Sequence, residues 1–181
     1  MEKIIIYDNF FSATDLQKIK DFCDNNWLCN CMYSPNADET RDTPFWRKEY
    51  KEEHLFNTYF NDVIQEKLKK EIKLIRIYSV GQTFGQNSNF HIDDANNNSY
   101  TFCFYINNTT TTETNEGYYY VKIPNEKHIL AIEPLNNRGV LFPANYVHRG
   151  TGFNKSSNDL RVCIAWKFID TNAETTIPKQ L

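Results

Sequence analysis

The alternation of apolar and polar residues that begins at residue 72 constrains the fold of this chain more than any other feature. Residues 72–78 have the period of two that is typical of a strand with one buried face. Residues 100–106, 117–123, 139–142 and 161–169 show the same strand signals. Aromatic residues, which favour strands, make up 15% of the chain. The sequence from residue 72 onward therefore predicts a body built mainly of β-strands.

The first part of the chain predicts helices. After a short strand at residues 3–7, apolar residues fall on one face of a helix over about residues 13–26. A second helix fits residues 50–70, and the intervening stretch 28–47 is predicted to be an irregular surface loop. Two helices followed by several short strands favour a mainly β fold with flanking α. The expected architecture is an antiparallel barrel or sandwich with the N-terminal helices packed outside it.

Length, charge and hydropathy restrict the class of protein. A chain of 181 residues can bury one core and has no room for two, so residues 1–181 are predicted to form a single domain. The net charge of −3 favours neither nucleic acid nor an anionic membrane as a partner. The sequence has no apolar run of membrane-spanning length and no signal-peptide pattern at its start. We therefore expect a cytoplasmic protein whose cysteines are free thiols.

A histidine and an aspartate one residue apart, His91 and Asp93, give the first indication of chemistry. On an extended backbone, residues two apart point to the same side, so this pair can hold one ion from one direction. Asp94 is an alternative carboxylate, but the period of two favours Asp93. His148, which follows an apolar strand, supplies a second imidazole. Two imidazoles and one carboxylate on one face of an octahedral metal suit non-haem Fe(II), which must also hold a chelating cosubstrate and O2.

Arg161 adds a permanent positive charge at the start of the last predicted strand. A guanidinium can bind a carboxylate through two parallel hydrogen bonds. Arg161 therefore suits the far end of a dicarboxylic 2-oxo acid. Each of these residues is a weak signal alone, and it is their order along the chain that carries the prediction.

Longer segments around these residues form a recognisable series. Residues 76–81, a polar loop and the His91–Asp93 pair match an R-x-Y-x-x-G…H-x-D block. Residues 100–107 look like the strand that follows this block in a known family. Residues 132–150 resemble that family's stretch ending in a second histidine, and residues 161–166 resemble its cosubstrate-binding strand. In these segments, and in residues 7–12 near its start, the chain resembles the Fe(II)/2-oxoglutarate dioxygenases of the prolyl 4-hydroxylase-like branch.

The resemblance implies a fold and a set of site residues. The fold is a double-stranded β-helix, or jelly roll, in agreement with the strand-rich pattern. The implied iron ligands are His91, Asp93 and His148. Arg161 would pair with the distal carboxylate of 2-oxoglutarate, and two tyrosines, Tyr78 and Tyr105, would donate hydrogen bonds to the same cosubstrate.

The resemblance also implies a reaction and a range of substrates. Oxidative decarboxylation of 2-oxoglutarate would be coupled to hydroxylation of an unactivated C–H bond, with ascorbate as a candidate reductant. The expected substrate is a prolyl residue of a protein or peptide. The alternatives are a small metabolite, a free amino acid or a nucleobase, or a jelly-roll domain that binds without catalysing. Residues 81–89 are expected to contact the substrate as a mobile flap. The stretch 28–47 is the other candidate, with Tyr33, Phe45 and Trp46 as possible contacts.

Overall fold

The computed structural model describes residues 4–25, 30–32, 43–107, 117–153 and 160–172. Helix α1 spans Ala13–Asn25, and a π-helical segment at Leu55–Phe60 runs directly into helix α2 at Asn61–Leu68. The strands are β1 Ile5–Tyr7, β2 Asn30–Met32, β3 Phe45–Glu49, β4 Ile72–Gln82, β5 Ser99–Tyr105, β6 Tyr119–Lys122, β7 Ile129–Ile132, β8 Arg138–Pro143, β9 Val147–Gly150 and β10 Arg161–Asp170. None of the described helices is long and apolar enough to cross a membrane.

The strands form two antiparallel sheets. The large sheet has the strand order β1-β8-β5-β10-β4-β3-β2, and the small sheet has the order β7-β6-β9. Buried side chains of both sheets pack into one cluster, in which Tyr105 and Cys163 come from the large sheet and Tyr119 and Val121 from the small one. The space between the two sheets is called the barrel interior below. This architecture agrees with the jelly roll that the family resemblance implies.

The other face of the large sheet is covered by the helices. Strand β10 shows the alternation clearly, since Trp166 and Phe168 pack with helix residues such as Ile19 and Phe56. Each fully buried side chain of this size contributes about 1.5–3 kcal/mol of hydrophobic stabilisation. The residues between them point the opposite way, into the barrel interior. Strand β10 therefore carries core residues on one face and candidate site residues on the other.

Local signals explain where the helices begin and end. The hydroxyl oxygen of Ser12 accepts a hydrogen bond from the Asp15 N–H at 3.1 Å, which satisfies a free donor in the first turn of α1. Helix α2 ends where Lys69 adopts the left-handed conformation with φ 52°. Both helices are therefore defined by their own sequence before they pack against the sheet.

Comparison with the sequence-based predictions shows agreement and two errors. All five strands predicted by alternation are present, and the first helix is confirmed. The stretch 28–47 was wrongly predicted to be an irregular loop, because β2 and the start of β3 lie in it and extend the edge of the large sheet. The rest of that stretch lies outside the described residues, except for residues 43 and 44.

Strands β7 and β9 were not predicted at all. Each has only four residues, which is too short for a period of two to be distinguished from chance. The omission of β9 matters most, since this strand carries His148.

Candidate metal centre

Backbone pairing brings the two histidines of the predicted site opposite each other. The N–H of His91 donates to the carbonyl of His148 at 3.0 Å, and the N–H of His148 donates to the carbonyl of His91 at 2.9 Å. Two residues further on, the N–H of Asp93 donates to the carbonyl of Ala144 at 2.8 Å. These bonds fix the segment between β4 and β5 against β9 and the turn that precedes it. The three predicted ligands therefore come together although His148 is distant in sequence.

The three side chains form a compact group, called the His–Asp–His triad below. The Nε2 atoms of His91 and His148 lie 3.7 Å and 3.6 Å from the two carboxylate oxygens of Asp93. All three ligand atoms lie within 4.8 Å of one another. These separations are too long for good hydrogen bonds, but ligands that each lie roughly 2 Å from one ion are spaced at similar distances. The triad is therefore arranged as three ligands of a single metal ion.

Hydrogen bonds at the far side of each imidazole define which nitrogen faces the centre. Nδ1 of His91 lies 2.9 Å from the carbonyl oxygen of Asn89, and Nδ1 of His148 lies 2.8 Å from that of Tyr146. A carbonyl can only accept, so Nδ1 carries the proton in both rings. In this tautomer Nε2 is the nitrogen that faces the centre, as metal-binding histidines require.

The carboxylate of Asp93 is buried and held by two donors. The Thr101 hydroxyl donates to one oxygen at 2.6 Å, and the Lys167 ammonium donates to the other at 2.6 Å. Burial by itself raises the pKa of Asp93, but the neighbouring charges of His148 and Lys167 and these two hydrogen bonds lower it below the ordinary value. Asp93 is therefore an oriented anion ready to bind a cation.

The adjacent carboxylate, Asp94, is turned away from the triad. It accepts a hydrogen bond from the Ser99 hydroxyl at 2.6 Å and from the Asn96 side-chain amide at 2.9 Å. These contacts close a local turn before β5. Of the two neighbouring aspartates, it is Asp93 that the fold places beside the histidines, in line with the period-two argument.

Burial keeps the second imidazole neutral. Loss of solvent lowers the pKa of His148 to about 4, although the nearby charge of Asp93 opposes the shift. At neutral pH the ring therefore carries no proton on Nε2. This is the state in which an imidazole binds a metal.

The same shift predicts a pH dependence of stability in the metal-free protein. The unfolded chain protonates His148 near its ordinary pKa of 6.5, whereas the folded chain does so only near pH 4. Between these two pH values the unfolded state binds more protons than the folded state does. Protonation therefore favours the unfolded state, and the free energy of unfolding decreases as the pH falls from about 6.5 to about 4. The expected loss is on the order of 3 kcal/mol. Denaturant unfolding at a series of pH values would measure it.

A His148→Gln variant provides the control, because glutamine does not titrate. Its free energy of unfolding should change much less over the same pH interval. A wild-type stability that stays constant between pH 6.5 and 4 would contradict the assignment of a buried neutral imidazole.

The predicted anchor, Arg161, lies deeper in the barrel interior. Its side chain is almost completely buried, with 2% of the residue exposed. Nε donates to the carbonyl of Gly117 at 2.6 Å, and Nη1 donates to the side-chain oxygen of Gln82 at 2.9 Å. Both partners are neutral, and among the described residues no carboxylate forms an ion pair with this guanidinium. A buried charge without a counter-ion is unfavourable by several kcal/mol, so the position suits an anionic ligand.

The two tyrosines predicted to contact the cosubstrate differ in their surroundings. Tyr105 is fully buried, its ring centre lies 5.2 Å from the Arg161 guanidinium carbon, and its hydroxyl lies beside the side chains of Arg161 and Cys163. Tyr78 lies toward the triad, with its ring centre 5.2 Å from Nζ of Lys167. Burial raises the pKa of Tyr78 to about 12, so its hydroxyl stays protonated.

Three further polar residues of the site were not identified from the sequence, namely Thr101, Lys167 and Gln82. A usable signal existed for two of them. Thr101 has the same strand parity as Tyr105 on β5, and Lys167 the same parity as Arg161 on β10, so both point into the barrel interior. To identify Gln82 as a site residue, one needs to know that it pairs with Arg161 across β4 and β10. No local sequence pattern supplies that pairing.

The predicted flap at residues 81–89 is tied to the barrel over much of its length. The N–H of Ser88 donates to the carbonyl of Gly150 at 3.1 Å, and the N–H of Gly152 donates to the carbonyl of Gln86 at 2.9 Å. Its tip carries Phe84, which is 61% exposed. The segment is therefore a wall beside β9 with one exposed apolar side chain. Of the aromatic contacts predicted in residues 28–47, Trp46 is exposed on β3, Phe45 is partly buried, and Tyr33 lies outside the described residues.

Comparison with solved structures identifies the fold. A prolyl hydroxylase from Trichoplax adhaerens, in complex with a peptide of the hypoxia inducible factor oxygen degradation domain, is 16% identical, with TM-score 0.71 over 92% of this chain and 83% of that one. A prolyl-4-hydroxylase from Pseudomonas putida is 13% identical, with TM-score 0.66 over 92% and 91%. The alpha-ketoglutarate-dependent epimerase SnoN of nogalamycin biosynthesis is 9% identical, with TM-score 0.68 over 92% and 78%.

Searches by sequence give no such likeness. No protein-family model and no curated protein sequence matches this chain. The likeness is therefore one of three-dimensional structure: the chain has the jelly-roll fold of the Fe(II)/2-oxoglutarate oxygenases. Within that fold, the His–Asp–His triad has the geometry to hold a metal ion, and the buried guanidinium of Arg161 has no carboxylate partner among the described residues.

Proposed function

We propose that this protein is an Fe(II)- and 2-oxoglutarate-dependent dioxygenase that hydroxylates an unactivated C–H bond, and that residues 1–181 act as one domain. The observation that carries the proposal is the combination of two features in one barrel. The His–Asp–His triad offers two imidazoles and one carboxylate within ligand distance of one another. The Arg161 guanidinium lies deeper in the barrel interior and has no carboxylate partner among the described residues.

The residues present fit Fe(II). A triad of this kind binds one face of an octahedral ion and leaves the other half of its coordination sphere open, which is the arrangement of non-haem iron oxygenases. His91, Asp93 and His148 would hold the metal. When bound, the metal supplies the activation of O2 that no amino-acid side chain can provide. The chain itself contributes the orientation of Asp93 through Thr101 and Lys167.

The residues also fit 2-oxoglutarate. Arg161 would bind the distal carboxylate, since a guanidinium pairs with a carboxylate through two parallel bonds. The buried hydroxyl of Tyr105, beside Arg161, would donate to the same ligand, and Tyr78 would do so nearer the metal. Ascorbate would serve as the reductant that keeps the iron in its ferrous form.

A prolyl residue of a protein or peptide is the proposed substrate. Two structures of this fold are named as prolyl hydroxylases, and one of them has a peptide bound. The exposed aromatic side chains of Phe84 and Trp46 would suit an extended peptide. A small molecule is the second candidate, because SnoN of the same fold has been solved with Fe3+, alpha ketoglutarate and nogalamycin RO.

Succinate formation tests the proposal directly. Protein incubated with Fe(II), 2-oxoglutarate, ascorbate and O2 is expected to release succinate, as followed by NMR, and to do so faster with a competent substrate. Proline-containing peptides and small metabolites would be compared, with mass spectrometry reporting the gain of one oxygen atom. Iron-loaded, folded protein that forms no succinate with any of them would contradict the proposed activity.

A further inference from the structure

Tyr119 is a buried tyrosine of the site that belongs to the small sheet. It lies at the start of β6, the central strand of that sheet, and only 4% of it is exposed. Its ring centre lies 5.4 Å from the imidazole of His148 and 5.1 Å from the ring of Phe142. Tyr119 therefore faces the barrel interior beside one member of the His–Asp–His triad.

The hydroxyl of Tyr119 has no hydrogen-bond partner among the described residues. Buried tyrosine hydroxyls usually have one, because an unmatched donor loses its bonds to water and gains nothing in exchange. A tyrosine hydroxyl is protonated at neutral pH and can therefore donate a hydrogen bond.

The position of this hydroxyl is defined by its neighbours. Cys103, Tyr105 and Cys163 belong to the same buried cluster as Tyr119. Gly150, which pairs with Tyr119 across β9 and β6, lies beside the guanidinium of Arg161. The hydroxyl of Tyr105 is also buried, beside Arg161. Two O–H donors from opposite sheets thus accompany one guanidinium, which donates to the neutral oxygens of Gly117 and Gln82. A ligand rich in acceptor oxygens would accept from all three groups.

We infer that Tyr119 is a further cosubstrate-binding residue, which donates its hydroxyl to an oxygen of the bound 2-oxo acid. The inference rests on the proposed function, because it assumes that a 2-oxo diacid occupies the space between the triad and Arg161. Tyr119 differs from Tyr105 in that it approaches from the small sheet. The ligand would therefore be held between the two sheets rather than along the large sheet alone.

Tyr119→Phe tests this inference, and Tyr120→Phe is its matched control. Phenylalanine keeps the ring contacts with His148 and Phe142 and removes only the hydroxyl. Tyr120 is the next residue, faces the other side of β6 and lies against Arg149. The dissociation constant of 2-oxoglutarate would be measured by calorimetry on protein loaded with Mn(II) under anaerobic conditions. The melting temperature would be measured on the metal-free protein.

Tyr119→Phe is expected to raise the dissociation constant of 2-oxoglutarate about tenfold, the typical effect of losing a hydrogen bond to a charged group. It is also expected to raise the melting temperature of the metal-free protein by about 2–4 °C, because an unmatched buried donor is removed. Affinity for Mn(II) alone should not change. Tyr120→Phe should leave all three quantities near their wild-type values.

Two results would overturn the inference without touching the proposed function. One is a Tyr119→Phe variant that binds 2-oxoglutarate as tightly as the wild type does. The other is a fall in its melting temperature, which would show that the hydroxyl already has a partner in the ligand-free protein. If metal-loaded wild type does not bind 2-oxoglutarate, the proposed function itself fails, and the inference fails with it.

Discussion

Asp93→Asn is expected to abolish specific metal binding and, with it, all formation of succinate. Asparagine has almost the same shape but no negative charge, so the triad loses the one anionic ligand that balances the metal. Loss of an outer partner of a metal ligand already lowers affinity about 10–100-fold, and loss of the ligand itself should exceed about 100-fold. Calorimetric titration with Mn(II) and NMR detection of succinate would measure the two effects.

Asp94→Asn is the matched control for this change. It removes one charge from the neighbouring position, where the carboxylate accepts hydrogen bonds from Ser99 and Asn96 and does not face the triad. It should lower stability slightly and leave metal affinity unchanged. The opposite pattern, with metal binding lost in Asp94→Asn and kept in Asp93→Asn, would contradict the assignment of the ligands.

The fold of the Asp93→Asn variant should survive. Lys167, whose ammonium pairs with Asp93, is partly exposed and can turn toward water when the carboxylate is gone. A cooperative thermal unfolding transition of the Asp93→Asn variant would show that it is folded. Its loss of metal binding could then be attributed to the missing carboxylate ligand.

Arg161→Met is expected to weaken 2-oxoglutarate binding about 100-fold while leaving metal affinity unchanged. Methionine fills much of the space of the arginine stem but has no charge and no donors. Two charge-assisted hydrogen bonds to the distal carboxylate would be lost, an effect of about 3 kcal/mol. The dissociation constant of 2-oxoglutarate for the Mn(II)-loaded protein would be measured without oxygen, so that binding is separated from turnover.

Arg138→Met provides the control for the loss of an arginine. Arg138 also begins a strand of the large sheet, but it pairs with Asp8 at 2.6 Å at the surface. Its replacement should not affect cosubstrate affinity. If Arg161→Met bound 2-oxoglutarate with wild-type affinity, the buried guanidinium would not bind the distal carboxylate of the cosubstrate. Arg161 would then be assigned to a different anion.

The predicted parts of the fold were those whose signals are local. The alternation in β4 follows from burial of one of its faces, whereas β5 and β10 are buried on both faces and are rich in aromatic and β-branched residues. These strands could therefore be found without knowledge of their partners. The same period of two selected Asp93 over Asp94, and the structure shows these two carboxylates pointing to different surroundings. Site residues whose backbone follows a period of two could therefore be predicted from the sequence.

The parts that were not predicted depend on pairing between distant segments. Strand β9 has four residues, and its place beside β6 is set by register, as in the pairing of His148 with Val121. Tyr119 stands in a run of three tyrosines, so alternation alone cannot tell which ring points inward. That assignment comes from the pairing of β6 with β7 and β9, which is a property of the folded sheet.

The most direct test is an anaerobic titration of the purified protein with Fe(II) and then 2-oxoglutarate, monitored by visible absorption. The proposed site predicts a weak charge-transfer band when the 2-oxo acid chelates the iron, and no such band in Asp93→Asn. Folded protein that binds Fe(II) but develops no band with 2-oxoglutarate would contradict the proposed cosubstrate site.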